Sequence, residues 1–297
     1  MKSLKHILGP MRVPFLILAP VCVLLGLGSA VWTTRRVDLI NLVLVFIAAL
    51  AAHISVNSLN EYFDFKSGLD SRTMRTPFSG GSGTLQAAPV MERWALGTGV
   101  TTMAILGLVG AYFLSTRGLS FLPLGLLGMV IIYGYTPWLT RRPILCLISP
   151  GLGFGPLMVM GTYFALTGRY SWTAFVASLV PFFLVNNLLL LNQFPDVDAD
   201  RSIGRRSLPI TLGKRRSSLV YGLFLLLAYL SVVVGVATGT LPPLSLLGLA
   251  TLPAGVLSFA GAARHAENTE RLVPAMGLNV VANVATPVLV AVGLLIR

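Results

Sequence analysis

Acidic residues are scarce in this sequence and lie mostly at two places. The chain of 297 residues has only 10 Asp and Glu residues. Six of them form two clusters, which are Glu61, Asp64 and Asp70, then Asp196, Asp198 and Asp200. An asparagine stands four residues before an aspartate in each cluster, Asn60 before Asp64 and Asn192 before Asp196, and the two pairs are offset by 132 residues. Carboxylate and amide oxygens are the ligands that a hard cation such as Mg²⁺ prefers.

Helical spacing predicts which of these side chains share a face, because residues four apart in a helix lie one above the other. The predicted same-face sets are Asn60 with Asp64, and Asn192 with Asp196 and Asp200. Asp198 points away on this geometry. Asp70 follows Gly68, a typical helix terminator, and is therefore predicted to lie in a loop.

Basic residues flank both clusters. They are Lys66, Arg72 and Arg75 beside the first, and Arg201, Arg205 and Arg206 beside the second. Carboxylates that hold a cation, together with guanidinium groups, are typical of a site for a metal-bridged polyphosphate. The pattern therefore predicts a site for a diphosphate bound through Mg²⁺.

The elements that carry these clusters are apolar helices. Hydrophobic residues make up 55% of the chain and charged residues 11%, against roughly 25% charged in ordinary soluble domains. Runs of about 20 apolar residues recur, which is the length of a helix that crosses a bilayer. We predict one domain over residues 1–297, an all-α integral membrane bundle of nine transmembrane helices. The predicted spans are 13–32, 39–60, 94–114, 119–138, 144–166, 172–193, 218–238, 241–261 and 276–296.

The distribution of basic residues predicts the orientation of the bundle. With the N-terminus in the cytoplasm, 17 of the 22 Lys and Arg residues fall on the cytoplasmic side, as the positive-inside rule requires. Four spans separate the two acidic clusters, so both emerge on this face, in the manner of an internal repeat. The net charge of +12 is explained by this topology, and we predict no nucleic-acid partner.

The two clusters resemble the motifs of the UbiA-type polyprenyltransferases. The stretch Asn60-Glu-Tyr-Phe-Asp64-Phe-Lys-Ser-Gly-Leu-Asp70 is most similar to the first motif of the 1,4-dihydroxy-2-naphthoate prenyltransferases of that family. The stretch Asp196-Val-Asp-Ala-Asp200-Arg-Ser-Ile-Gly204-Arg-Arg-Ser207 resembles the second motif. Tyr135-Thr-Pro137, followed by Arg141 and Arg142, resembles the family's end of the fourth helix.

The resemblance implies an Mg²⁺-dependent transfer of a polyprenyl chain from its diphosphate to an aromatic acceptor, as in quinone and menaquinone biosynthesis. It implies a multi-pass protein of the lipid bilayer, in the inner membrane if the cell is prokaryotic, with its active site on the cytoplasmic side. By resemblance, the metal ligands and catalytic carboxylates are Asp64, Asp70, Asp196 and Asp200, and the diphosphate is bound by Asn60, Lys66, Arg72, Arg141, Asn192 and Arg201. Tyr135 is implied to stabilise the allylic cation through its ring face.

Several assignments stay open at this stage. Glu61 stands where the family usually has Asp, and residues 76–83 are rich in glycine; both features leave the acceptor open, and a glycerol phosphate lipid precursor is the alternative. A cation-coupled transporter is the alternative from another class, since such proteins also carry intramembrane acids and internal repeats. The alternative for Tyr135 is an interfacial tyrosine. Asp198 is either a solvated acid, an acid that supports the metal ligands without binding the metal, or a ligand itself. His53, one turn from Asn57, either is a polar core residue or lines the acceptor pocket.

Overall fold

The computed structural model describes residues 4–296 and, within them, every side chain except that of Asp70. All regular elements of this part of the chain are helices. The physical reason is that hydrocarbon offers no partner to a backbone N–H or C=O group, so a spanning segment must satisfy its hydrogen bonds internally. The predicted all-α membrane bundle is confirmed.

Nine apolar helices form the bundle. They are α1 (Val13–Thr34), α2 (Leu39–Lys66), α3 (Pro89–Arg117), α4 (Leu119–Gly134), α5 (Pro143–Thr167), α6 (Trp172–Asn192), α7 (Lys214–Ala237), α8 (Pro243–His265) and α9 (Thr269–Leu295). Within the described residues, eight of these are long and apolar enough to cross a membrane, and α4 is shorter. The predicted bundle of nine helices is therefore confirmed, with α4 shorter than the other eight.

Helix α4 ends earlier than predicted because of Pro137. The prediction extended this helix to residue 138, but it ends at Gly134 and is followed by a turn and the short 3-10 helix Leu139–Arg141. Proline lacks an N–H donor, and it disfavours the helical conformation of the residue before it. The early end places Tyr135 at the mouth of the bundle rather than inside a span.

Short helices connect the spans on the face that carries both acidic clusters. They include Leu4–Leu8 and Gly9–Met11 before α1, Leu69–Ser71 and Thr84–Ala87 between α2 and α3, and Val197–Ser202 and Leu208–Leu212 between α6 and α7. Two parts of the long spans are also irregular: Gly153–Met160 in α5 is a π-helix and Pro243–Thr251 in α8 is a 3-10 helix.

The π-helical part of α5 passes close to α6. Pro150 lies three residues before this stretch and Pro156 lies within it. Neither can donate a backbone hydrogen bond, which favours a departure from the α-helical pattern. A Cβ atom built on Gly155 would lie 2.5 Å from the carbonyl oxygen of Ser178 on α6. Glycine is therefore what allows the two backbones to meet.

A buried polar network holds α6 against the C-terminal helices. The Tyr221 hydroxyl on α7 lies 2.7 Å from Ser258 Oγ on α8 and donates to Asn279 Oδ1 on α9. Asn187 on α6 donates through Nδ2 to the Tyr221 carbonyl oxygen at 2.9 Å. Such interhelical hydrogen bonds join helices that cannot associate through the hydrophobic effect alone. The network fixes the helix that ends in Asn192.

Candidate active site

The two acidic clusters meet in one polar pocket at the end of the bundle. Asn60 and Asp64 come from the last turns of α2, and Asn192 comes from the last residue of α6. Asp196 and Asp200 come from the connection that follows α6. All five side chains line a pocket of about 100 Å³. The structure thus brings together five of the residues that the motifs predict, from segments far apart in the sequence.

The second cluster is not one continuous helix with α6, as the spacing had predicted. Helix α6 ends at Asn192, residues 193–196 form a turn, and a new helix begins at Val197. Pro195 explains the break, because it has no N–H to continue the helix. Asp196 stands at the N-terminus of the new helix Val197–Ser202.

The predicted difference among the three aspartates nevertheless follows from the new helix. Asp196 and Asp200 both line the pocket, and Asp200 is 4% exposed. The Asp198 side chain is 96% exposed and lies 3.8 Å from Arg201, also at the surface. Residues 196 and 200 are one turn apart and share a face, whereas residue 198 lies on the opposite side.

Arg205 joins the two clusters. Its guanidinium group donates from Nη1 to Asp200 Oδ1 at 2.9 Å and from Nη2 to Asp64 Oδ1. Asp64 and Asp200 are both buried, and the Arg205 side chain is 14% exposed. A buried guanidinium between two carboxylates is a strong, charge-assisted arrangement. It fixes the distance between the helix that carries Asp64 and the connection that carries Asp200.

Burial and like charge together disfavour the ionised form of the second cluster. Burial, together with the neighbouring Asp200 carboxylate, raises the pKa of Asp196 to about 7, although the charge of Arg205 opposes this rise. Burial also raises the pKa of Asp200, although the charge of Arg205 opposes this effect. Carboxyl groups perturbed by burial and by one another are typical of functional sites, where a bound cation offsets both effects.

Arg12 was not assigned to the site from the sequence, yet it lies at the pocket. It precedes α1 in a left-handed conformation, with a φ angle of 50°. Its Nη2 atom donates to Asn60 Oδ1 at 3.0 Å and lies 3.4 Å from Glu61 Oε2. Its buried Nε atom has no hydrogen-bond partner among the described residues. The sequence offered only a basic residue before an apolar run, which membrane topology alone explains.

Glu61 positions the glycine-rich segment above the pocket. Its carboxylate accepts hydrogen bonds from the Ser82 backbone N–H, at 3.2 Å, and from the Ser82 hydroxyl group. The side chain is completely buried. Ser79, Gly80 and Gly81, which precede this anchor, line the pocket. Glu61 therefore orders the wall of the site.

The other predicted diphosphate ligands lie at the surface. Lys66 pairs with Glu92 at 3.0 Å, and the Arg72 Nη1 atom donates to Ser202 Oγ at 3.0 Å. Arg141 and Arg201 are exposed as well. Among the described residues that line the polar pocket, the cations are Arg12 and Arg205 instead. Asp70, which was predicted to bind metal, has a side chain outside the described residues.

An apolar cavity of about 460 Å³ lies directly below the polar pocket. Helices α2 to α6 contribute most of its wall, with apolar side chains over most of its surface. The residues common to both compartments are Arg12, Asn60, Phe78, Tyr135, Leu189 and Asn192. Tyr135, which the resemblance implies to stabilise the allylic cation, thus lies at the boundary between the polar pocket and the apolar cavity.

The oxygen atoms of the pocket fit a magnesium ion that is shared with a phosphate. Asn192 Oδ1 and Asp196 Oδ1 are buried and have no hydrogen-bond partner among the described residues. Within the same part of the chain, no three His, Cys, Asp or Glu side chains converge closely enough to enclose a metal. Mg²⁺ characteristically takes one or two carboxylates and completes its shell with water and substrate phosphate.

The fold and the site define the class of this protein: a helical membrane bundle with acidic residues at the mouth of an apolar cavity. The chain belongs to the UbiA prenyltransferase family, whose model matches residues 19–281. It is 27% identical over 299 residues to a 1,4-dihydroxy-2-naphthoate octaprenyltransferase of Bacillus subtilis (strain 168), covering 99% of this chain and 94% of the relative. It is 26% identical over 234 residues to a digeranylgeranylglyceryl phosphate synthase of Pyrococcus furiosus, covering 74% of this chain and 77% of the relative.

Solved structures confirm the fold. The apo structure of a UbiA homolog from Aeropyrum pernix K1 matches with a TM-score of 0.70 and 21% identity, over 94% of this chain and 95% of that one. A UbiA homolog from Archaeoglobus fulgidus bound to GPP and Mg²⁺ matches with a TM-score of 0.64 and 14% identity, over 96% and 99%. The family resemblance deduced from the motifs is confirmed, and the chain is an integral, multi-pass membrane protein.

Proposed function

We propose that this protein transfers a polyprenyl group from a prenyl diphosphate to an aromatic acceptor of the dihydroxynaphthoate type, in an Mg²⁺-dependent reaction. The observation that carries the proposal is the continuity of a charged pocket with an apolar cavity, through residues common to both. A prenyl diphosphate has a charged head joined to a hydrocarbon tail. The two compartments match those two parts in order and in polarity.

The residues of the pocket would act on the leaving diphosphate. Arg12 and Arg205 provide the positive charge that stabilises its developing oxyanions. Asp64, Asp196 and Asp200, with the amide oxygens of Asn60 and Asn192, would hold the metal (a carboxylate at position 70 remains a candidate ligand). Mg²⁺ bound there would neutralise phosphate oxygens and lower the barrier to breaking the bond between C1 and oxygen.

Tyr135 and the cavity wall would act on the organic part of the substrate. When the C1–O bond breaks, its electron pair leaves with the diphosphate and C1 becomes an allylic cation. The face of an aromatic ring attracts a cation, and Tyr135 stands at the boundary where C1 would lie. The apolar lining excludes water, so an electron-rich ring carbon of the acceptor, rather than water, would form the new bond to C1. That carbon would then lose its proton to the diphosphate or to solvent, which restores the aromatic ring.

Two relatives support different acceptors. The naphthoate enzyme of Bacillus subtilis aligns over almost the whole chain, and the first motif, Asn60-Glu-Tyr-Phe-Asp64, is most similar to that branch. The glycerol phosphate enzyme of Pyrococcus furiosus aligns over 74% of the chain. The more complete alignment favours the aromatic acceptor.

The distribution of basic residues supports a pocket that opens to the cytoplasm, in the inner membrane if the cell is prokaryotic.

A reconstituted assay tests the proposal. Purified protein in liposomes is incubated with a polyprenyl diphosphate, Mg²⁺ and either 1,4-dihydroxy-2-naphthoate or a prenylated glycerol phosphate, and products are identified by mass spectrometry. We expect a prenylated naphthoate and released diphosphate. Excess EDTA should abolish both, and added Mg²⁺ should restore them. A product from the glycerol phosphate alone would contradict the acceptor, and undiminished turnover in EDTA would contradict the role of the metal.

A further inference from the structure

Ser207 has the position and the backbone of a helix cap but does not act as one. It immediately precedes the short helix Leu208–Leu212 and has the extended backbone typical of a capping residue, with a φ angle of −76° and a ψ angle of 167°. A serine at such a position usually accepts a hydrogen bond from a backbone N–H group of the first turn. The Ser207 side chain accepts none. Its hydroxyl group therefore does not serve the helix that follows.

The hydroxyl group is instead buried at the polar pocket. Ser207 is 2% exposed and lines that pocket. Its Oγ atom is buried and has no hydrogen-bond partner among the described residues. Buried polar atoms without a partner are unfavourable, and proteins retain few of them. A serine that neither caps its helix nor bonds within the chain indicates a partner that arrives with a ligand.

The backbone holds Ser207 at the wall of the pocket. The N–H group of Arg206 donates to the Thr140 carbonyl oxygen at 2.9 Å, across to the connection between α4 and α5. The N–H group of Arg205 donates to the Asp200 carbonyl oxygen at 3.1 Å. These bonds fix the two residues before Ser207 without using its side chain. The place of the hydroxyl group is thus set before any ligand binds.

The other hydroxyl groups of the pocket already have partners. The Tyr135 hydroxyl group forms a hydrogen bond with the Cys146 thiol. The aliphatic hydroxyl groups bond to nearby oxygen atoms of their own segments, and they belong to Thr73, Ser79 and Thr140. Among the hydroxyl groups that line the pocket in the described part of the chain, only that of Ser207 is available to a ligand.

Four buried side-chain atoms of the pocket have no partner among the described residues, and their chemistry falls into two pairs. They are Asn192 Oδ1, Asp196 Oδ1, Arg12 Nε and Ser207 Oγ. The first two are oxygen atoms suited to a cation. The other two groups can donate hydrogen bonds. A ligand that satisfies all four must bring both a cation and anionic oxygen atoms, as a metal-bound diphosphate does.

We infer that the Ser207 hydroxyl group donates a hydrogen bond to a non-bridging oxygen atom of the diphosphate. The inference rests on the proposed function, since it adds a binding residue to the site of the leaving group. Ser207 supplies a neutral donor on the side of the second acidic cluster, and Arg12 supplies a charged donor from the segment before α1. Negative charge grows on the diphosphate as the C1–O bond breaks, so this hydrogen bond is strongest in the transition state.

The test compares three variants. Ser207→Ala removes the hydroxyl group, and Ser207→Thr keeps it. Thr140→Val is the matched control, because Thr140 lines the same pocket but its hydroxyl group already donates to the Thr136 carbonyl oxygen at 2.7 Å. Binding of inorganic diphosphate in the presence of Mg²⁺ is measured by calorimetry. Thermal unfolding is followed with and without that ligand, and the Mg²⁺ requirement is titrated at saturating diphosphate.

We expect Ser207→Ala to weaken binding of inorganic diphosphate about tenfold. Its unfolding midpoint without ligand should not fall, because no internal hydrogen bond is lost, but the rise that diphosphate causes should be smaller than in the wild type. The Mg²⁺ requirement should be unchanged. Ser207→Thr should recover part of the lost affinity, and Thr140→Val should bind diphosphate as the wild type does.

Three results would overturn the inference. The first is unchanged diphosphate binding in Ser207→Ala. The second is a lower unfolding midpoint of that variant without ligand, with the same loss of affinity in Thr140→Val, which would make the role of the hydroxyl group structural. The third is a higher Mg²⁺ requirement at unchanged diphosphate affinity, which would assign Ser207 to the surroundings of the metal.

The use of inorganic diphosphate separates this inference from the proposed function, because the probe carries no prenyl group and needs no acceptor. If Ser207→Ala loses diphosphate affinity but the wild type prenylates no acceptor, the proposed reaction fails and the role of Ser207 stands. If the wild type forms the prenylated product and Ser207→Ala binds diphosphate as the wild type does, the role of Ser207 fails and the reaction stands. If the wild type neither binds diphosphate nor forms product, both fail.

Discussion

Three aspartates within five residues have different surroundings. Asp196 and Asp200 line the polar pocket, whereas Asp198 extends into solvent beside Arg201. The helix Val197–Ser202 creates the difference, because two of the acids are one turn apart and the third is not. We therefore expect Asp198 to differ in function from Asp196 and Asp200, although all three are aspartates.

We expect Asp196→Asn and Asp200→Asn each to lower kcat on the order of 10²-fold, since charge that stabilises a leaving group acts chiefly in the transition state. Asp198→Asn should retain nearly wild-type kcat and serves as the matched control. Steady-state kinetics of the three variants in liposomes provide the measurement. Comparable losses at all three positions would contradict the assignment of Asp198 to the surface.

The sequence did not identify which basic residues line the pocket. Spacing identifies basic residues beside each cluster but does not rank them, and the family resemblance implies Arg201 rather than Arg205. The structure places Arg205 between Asp64 and Asp200 and leaves Arg201 exposed. The deciding factor is the turn after Ser202, in which Gly204 has a φ angle of 81°. Such a reversal directs a later residue back to the pocket, and helical periodicity does not predict it.

At the scale of elements, apolar runs predicted the positions of the helices well, because length and hydropathy decide what crosses a bilayer. The deviations lie at prolines. Pro137 ends α4 early, and Pro195 separates the second cluster from α6. Prolines within spans do not all act in this way: Pro181 lies inside α6, which continues through it. Whether a proline ends a helix depends on the contacts that the helix makes with its neighbours. Those contacts cannot be read from a single sequence.

The contact between α5 and α6 gives a prediction about stability. A Cβ atom at Gly155 would meet the Ser178 carbonyl oxygen at 2.5 Å and the Phe182 backbone nitrogen at 2.8 Å, whereas one at Gly153 would meet nothing within 4 Å. Overpacking a close contact costs about 1–3 kcal/mol. We therefore expect Gly155→Ala to lower the midpoint of thermal unfolding in detergent by several degrees, and Gly153→Ala to leave it unchanged. Equal midpoints for the two variants would contradict the prediction, because they would mean that α5 and α6 move apart with no loss of stability.

At the scale of the whole molecule, both acidic clusters must open to one side of the membrane. The contact between Arg72 and Ser202 brings the two connecting segments together at the surface. Ser71 and Ser202 are exposed there, and Ser115, at the other end of α3, is exposed as well. The native residues Cys22 and Cys146 are buried.

Single cysteines introduced at these positions test the topology. Ser71→Cys and Ser202→Cys should both react with a membrane-impermeant maleimide only when the cytoplasmic face is accessible, and Ser115→Cys should react only from the opposite face. Inverted and right-side-out vesicles provide the two conditions, and the unmodified protein is the background control. Reaction of positions 71 and 202 from opposite faces would exclude a shared pocket.

The stacking of a charged pocket on a hydrocarbon-lined cavity also determines how the two products separate. Transfer of a prenyl group splits an amphiphile into a water-soluble anion and a molecule without that anion. If Arg12 and Arg205 bind the diphosphate as proposed, they would not bind the prenylated product. In the proposed reaction the anion would partition to the aqueous phase and the prenylated acceptor to the lipid, and this partitioning would oppose the reverse reaction. The rate of such a reaction depends on the mole fraction of substrate within the bilayer rather than on its concentration in the surrounding volume.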